Sequence, residues 1–266
     1  MAGRKVWLTW LPTGEDAPTP QESVQGLAKV GLDVQGAPFV DDLQKCAYSE
    51  LATQLNEHAD LEIWVIAGRQ ADFEKTSVRY GLGLASAMVR DVRDPLPLTW
   101  VVGLDFAPDA DSLPTFLRGA NVIDGSGGKW PAKVFIGSHN KKGGSPGDDF
   151  RFNVIAHPYV GQWFEIGPRG EGSWKGAMVG VTGEGVEITQ HAVGKKHELP
   201  ERTVLNYASE GIKAQIGEDE YTAWSVQNEI GAEESYYVRI VGHPAKLIIG
   251  EHPAADEADA WTLTLG

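Results

Sequence analysis

The sequence predicts α/β plus all-β architecture: a three-layer α/β domain on a five-stranded parallel sheet of order 2-1-3-4-5, then an antiparallel β-sandwich or barrel. Three observations carry this. Leu61 to Ala67 and Leu98 to Leu104 are apolar runs without in/out alternation, as in strands covered on both faces, and an apolar helical stripe (Val78, Leu82, Ala85, Val89) lies between them. Such a βαβ unit implies parallel strands. From Ser138 to Asp149 the chain is polar, glycine-rich and aperiodic. Beyond it, short β-branched and aromatic runs alternate with turn residues. The expected domains are 1–140 and 150–266, joined by a linker at 141–149.

Within the first domain, Val6 to Leu11 predicts strand one. Thr19-Pro20-Gln21-Glu22 has the form of a helix start, with Thr19 as N-cap, Pro20 first in the helix and Glu22 completing a capping box. Gly31 stands where a C-cap belongs, and a short second strand runs from Leu32 toward Val40. Asp41 with Gln44 predicts a second capping box, opening a helix from Asp42 to about His58. Ser77 to Val92 is the central helix, Ser112 to Arg118 a short one, and Ala132 to Gly137 the fifth strand.

The second domain offers ten short runs: Phe150 to Ala156, Gln162 to Ile166, Ala177 to Val181, Val186 to His191, Arg202 to Tyr207, Ile212 to Ile216, Thr222 to Gln227, Tyr236 to Val241, Lys246 to Gly250 and Trp261 to Leu265. Thr182-Gly183-Glu184-Gly185 and Gly217-Glu218-Asp219-Glu220 read as hairpin turns.

Composition narrows the function classes. The net charge is −14, divided as −6 up to Asn140 and −8 beyond it. Neither half offers a basic footprint for nucleic acid or anionic lipid. No stretch approaches the ~20 apolar residues of a membrane span, and the opening apolar run is too short for a signal peptide. A cytoplasmic protein is expected. The single cysteine, Cys46, reads as a small buried hydrophobe.

The succession Ile63-Trp64-Val65-Ile66-Ala67-Gly68, then a helix from Ser77, then Leu98-Thr99-Trp100-Val101-Val102, resembles the corresponding part of TIR-like signalling domains. The resemblance covers about half of the first domain and implies a flavodoxin-like fold. Where NAD-cleaving TIR domains place a catalytic glutamate at the start of this helix, the chain has Tyr80-Gly81-Leu82-Gly83. It also lacks the acidic pair and aspartate of response-regulator receivers.

In an open α/β sheet, ligands bind beyond the carboxyl ends of the strands, at the switch between strands 1 and 3. That places Thr13, Gly14 and Glu15 beside Gly68, Arg69 and Gln70, a set suited to an anionic small molecule such as a nucleotide. Acid–base candidates there are Glu15, Asp16 and Asp72. Gly125-Ser126-Gly127-Gly128-Lys129-Trp130 is the one glycine cluster with an adjacent lysine. A phosphate cradle needs a strand before it and a helix after; the expected strand at Ala132 makes it a flexible loop instead. No Walker A or Rossmann fingerprint, metal-ligand spacing or Gly-x-Ser-x-Gly elbow occurs, so no catalytic residue, metal or cofactor is predicted. Tyr159, Trp163 and Trp174 are the expected surface aromatics, fit for a partner. The reading is a binding or assembly protein with a protein partner or self-association. The alternative is a nucleotide-processing, NAD-hydrolase-like enzyme at the strand 1/strand 3 edge.

Overall fold

The computed structural model describes residues 3–12, 20–141, 143, 148–252 and 260–266. The chain divides into two compact units: Met1–Leu43 with Ala47–Pro146, and Gly147–Gly266 with Gln44–Cys46.

The first unit is a five-stranded, all-parallel sheet of order β2-β1-β3-β4-β5, as the sequence predicts. Its elements are β1 (Lys5–Trp10), α1 (Pro20–Lys29), β2 (Asp33–Pro38), α2 (Tyr48–Glu57), β3 (Ile63–Gly68), α3 (Gln70–Phe73), α4 (Thr76–Val92), β4 (Leu98–Gly103), β5 (Asn121–Asp124) and α5 (Trp130–Asn140). Every residue of β3 is buried, which accounts for its unbroken apolar sequence. One face of the sheet supplies Val6, Leu8, Ile63, Val65, Trp100 and Val102 to a core completed by Leu27, Trp130 and Val134. α1 ends as expected: Gly31 adopts a left-handed φ of 93°, and its N–H and that of Leu32 donate to Ala28 and Leu27. The expected N-cap, Thr19, lies outside the described residues. In α4, a Cβ on Gly81 would lie 2.7 Å from Phe39 Cζ, so that glycine admits the approach of Phe39 and Tyr48.

Two expectations in this unit are corrected. Ala132 to Gly137 is not a strand but the middle of α5, and the fifth strand is the four-residue β5 before it. Trp130, Val134 and Ser138 are buried at a spacing of four, which is helical, and Pro131 occupies the first turn. The second helix starts at Tyr48 rather than Asp42, because Cys46 takes a left-handed φ of 52° that no helix can continue through. Cys46 is buried, as expected.

The second unit holds two antiparallel sheets. β6 (Phe150–His157), β7 (Gly161–Pro168), β12 (Glu234–Val241) and β9 (Glu187–Lys195) make one, in the order β6-β7-β12-β9. The other runs β10-β11-β8-β13-β14, with β8 (Ala177–Thr182), β10 (Ser209–Ile216), β11 (Asp219–Val226), β13 (Lys246–Gly250) and β14 (Ala260–Thr264). Gly217, at a φ of 59°, turns the β10–β11 hairpin as predicted. The turn at 182–185 instead carries the chain between sheets, since β8 and β9 pair with different partners. Arg202 to Tyr207 is a loop, not a strand; Val204 and Tyr207 are each 79% exposed, so the run has no sheet face to bury. Among the described residues no helix is long and apolar enough to cross a membrane.

Candidate functional site

The carboxyl edge of the parallel sheet is where the fold directs the search. Thr13, Gly14, Glu15 and Asp16 lie outside the described residues. Their expected neighbours are in place at the end of β3. A Cβ on Gly68 would fall 2.8 Å from Leu11 Cδ1, so this glycine makes room for Leu11, whose N–H donates to Ala67. The next two amides point into carboxylates: Arg69 N–H donates to Asp72 Oδ2 at 3.1 Å and Gln70 N–H to Asp105 Oδ1 at 2.9 Å. Two N–H groups that an anion would seek are thus engaged by the chain's own acids. Asp72, the one described acid–base candidate, is 1% exposed and lies 3.5 Å from Lys75 Nζ. It serves the start of α3.

Beside these residues a crevice of about 230 Å³ opens between Gln70, Phe73, Arg79, Phe106, Asp109 and Leu113. Phe73 and Phe106 form its aromatic wall, their ring centroids 5.6 Å apart. Arg79 donates to the Ser112 carbonyl at 2.6 Å; burial first, and then the nearby Arg118, push its pKa below the ordinary arginine value. The carboxylate of Asp109 accepts from Asp111 N–H, so it too builds its own loop.

The glycine cluster gains from the corrected topology. Gly125 to Lys129 connects β5 to α5, so a strand does precede it and a helix does follow. Gly128 needs its left-handed φ of 69°, and Cβ atoms on Gly127 or Gly128 would meet nothing within 4 Å. Gly125 is held by its N–H to the Gly103 carbonyl at 2.8 Å. Asp124 accepts from Ser126 N–H and Oγ, which lowers its pKa below the usual carboxylate value, while Lys133 Nζ donates to the Asp124 carbonyl at 3.1 Å. The loop resembles an anion cradle in placement, with the Asp124 carboxylate bonded to its second residue, Ser126.

In the second unit, the expected aromatic set divides. Tyr159 is 93% exposed at the β6–β7 turn, where Val160 is also exposed; Val241 is exposed at the end of β12, which pairs with β7. Trp163 is half-buried on β7. Trp174 is not a surface residue: it is 5% exposed and stacks on Trp261 at 5.9 Å. A tryptophan between Ser173 and Lys175, with glycines on either side of these, reads as exposed in sequence, but its partner across the fold lies 87 positions away.

Sequence reasoning missed a buried polar cluster on β6, β7 and β12. Glu165 Oε1 accepts from Ser235 Oγ at 2.7 Å, His197 N–H at 2.7 Å and Tyr237 OH at 3.2 Å; Oε2 accepts from Asn153 at 3.0 Å. Arg151 Nη1 lies 3.7 Å from Glu165 and donates to Ser235 Oγ, while its other nitrogens reach the Pro168 and Glu234 carbonyls. Burial, then the charge of Glu165, push the Tyr237 hydroxyl well above its usual pKa. Arg151 and Glu165 each interrupt an apolar run, the sequence signal for a charge inside a sheet. The carboxylate is saturated with donors, so this cluster is built to hold the sheet together. Among the described residues no group of three or more His, Cys, Asp or Glu is placed to hold a metal ion.

No protein-family model and no curated protein matches the chain.

Proposed function

We propose that the chain is a binding or assembly protein in which a TIR-like α/β unit is paired with a β-sandwich recognition module. The observation that carries this reading is the exposed apolar tip of the second unit, Tyr159 with Val160 and Val241. Tyr159 at 93% exposure leaves almost its whole ring in water, and an apolar group held there by a two-strand turn suits contact with another protein surface. Loops at the ends of β-sandwiches are free to vary while the sheets stay rigid, which makes them recognition surfaces. At the described carboxyl edge of the first unit, Asp72, Asp109 and Asp124 accept hydrogen bonds from their own loops, and Asp105 accepts from Gln70 N–H at the start of α3. Acids engaged in this way support a scaffold rather than an acid–base pair. Self-association is the simplest form of the proposal. Sedimentation velocity over a concentration series tests it: the expected result is a species heavier than the 28.8 kDa chain, reduced by Tyr159→Ser with Val241→Ser.

A nucleotide-processing, NAD-hydrolase-like enzyme is the second reading, with its site between the ends of β1 and β3. It is favoured by one observation, the strand–glycine loop–helix arrangement at Gly125 to Lys129 on the same edge of the sheet. Calorimetry with a nucleotide panel discriminates. Binding weakened by Arg69→Ala supports a site at the β1/β3 edge, binding weakened by Lys129→Ala supports the β5–α5 loop, and the absence of binding removes the enzyme reading.

A further inference from the structure

A cavity of about 480 Å³ lies at the opposite, amino-terminal edge of the parallel sheet, lined by α4, the start of β4, the segment leading into β5 and the residues after α5. We propose that it is a binding site for a small organic anion, an apolar or aromatic body carrying one phosphate or carboxylate group. The inference is independent of the function proposed above and concerns a different edge of the sheet.

Size and composition of the wall carry the argument. The volume falls within the range of about 300–1,000 Å³ typical of small-molecule sites. Leu96 supplies half-buried apolar surface, above a buried floor of Trp64, Val89 and Phe116 that holds its shape. Among the described residues, the charged side chains in the wall are Arg90 and Lys141, with no aspartate or glutamate beside them. That is notable in a chain whose net charge is −14. The crevice at the carboxyl edge, by comparison, includes Glu74 and Asp109, and a second amino-edge cavity of about 680 Å³ mixes Arg4 and Arg93 with Asp60, Glu62 and Asp94. A wall whose described charges are all cationic favours an anion over a neutral or cationic ligand.

The cationic side chains are also positioned. Lys141 Nζ donates to Asn121 Oδ1 and lies 5.7 Å from the centre of the Trp100 ring. Asn121 Nδ2 in turn donates to the Thr99 carbonyl at 3.2 Å, so the amide ties the lysine to the first residues of β4 and β5. Arg90 stands in the last turn of α4. The hydroxyls in the wall already face inward to the chain: Ser86 Oγ donates to the Phe116 carbonyl at 2.9 Å and Thr99 Oγ1 to Pro97 at 3.2 Å. Recognition of the anion is assigned to the positive charges of Arg90 and Lys141, with Leu96 and the floor beneath it accepting the body of the ligand.

Calorimetry of the full chain with phenyl phosphate, benzoate and the neutral benzyl alcohol tests the proposal. Phenyl phosphate or benzoate should bind at least tenfold more tightly than benzyl alcohol. Lys141→Gln, at an exposed position that tolerates substitution, should weaken the anion about tenfold or more, the scale of a hydrogen bond to a charged group, and Lys141→Arg should restore it. Arg90→Gln should act in the same direction. Amide chemical-shift changes should centre on Thr99 and Asn121. Equal affinity for benzyl alcohol, no binding of either anion, or anion binding indifferent to Lys141→Gln would overturn the assignment.

Discussion

At the scale of single residues, the second unit depends on charges that its sheets enclose. Glu165 is 1% exposed and Arg151 9%, and their bonds join three strands. Removing one partner of such a pair leaves the other charge buried and unpaired, at a cost of about 3–5 kcal/mol. Glu165→Ala should lower the unfolding free energy by that order, measured by denaturant titration, whereas substituting the exposed Glu233, ion-paired with Lys196, should leave it essentially unchanged. His191 makes a second residue-scale case. Its side chain is 6% exposed, bonded to Tyr236 OH at 2.9 Å and edge-on to Trp224 at 4.8 Å. Burial lowers its pKa below 6.5, and Glu210, 3.6 Å away, offsets only part of this. Because the unfolded chain takes up the proton first, stability contributed by neutral His191 is present above the unfolded pKa and is lost as pH falls through the folded one. The unfolding midpoint should therefore drop between pH 7.5 and 5.5, and His191→Gln should flatten that dependence; an unchanged slope would contradict it.

At the scale of elements, the local signals that were strong in sequence are the ones the fold obeys. β3, α4 and β4 were legible because burial on both faces leaves an unbroken apolar run and a helix leaves a stripe. The region from 119 to 140 misled because a four-residue edge strand between Gly119 and Gly125 carries little pattern, while Lys133-Val134-Phe135-Ile136 has high β propensity. Tertiary contact decides there. Trp100 fills the space beside Gly137, where an added Cβ would come within 2.6 Å of Trp100 Cζ2. Gly137→Ala would gain about 1 kcal/mol of helix propensity, yet overpacking costs about 1–3 kcal/mol. The expected net effect is a loss of stability, read by thermal unfolding; a stabilised variant would mean that α5 does not press on the sheet at this point. The second helix shows the converse case. Asp41 and Gln44 have capping-box spacing, but Asp41 Oδ2 accepts from Ser77 Oγ, and the left-handed Cys46 delays the helix.

At the scale of the whole molecule, fold class and strand order were legible, and the candidate site was legible only as a place. Sheet topology directs attention to the ends of β1 and β3, but which amides stay open there depends on Asp72 and Asp105, and Asp105 is 35 positions from its partner Gln70. The amino-edge cavity was not legible, since its wall joins α4, β4 and the residue after α5, with Ser86 and Lys141 55 positions apart in the chain. The aromatic tip was legible at Tyr159 and not at Trp174, because exposure is settled by what folds back onto a side chain. The central claim, assembly through that tip, is tested most directly by sedimentation velocity of the purified chain over a concentration series. The account predicts a species heavier than 28.8 kDa that grows with concentration and reverts toward that mass in Tyr159→Ser/Val241→Ser. A 28.8 kDa monomer at every concentration, or an assembly that the double substitution leaves unchanged, would contradict it.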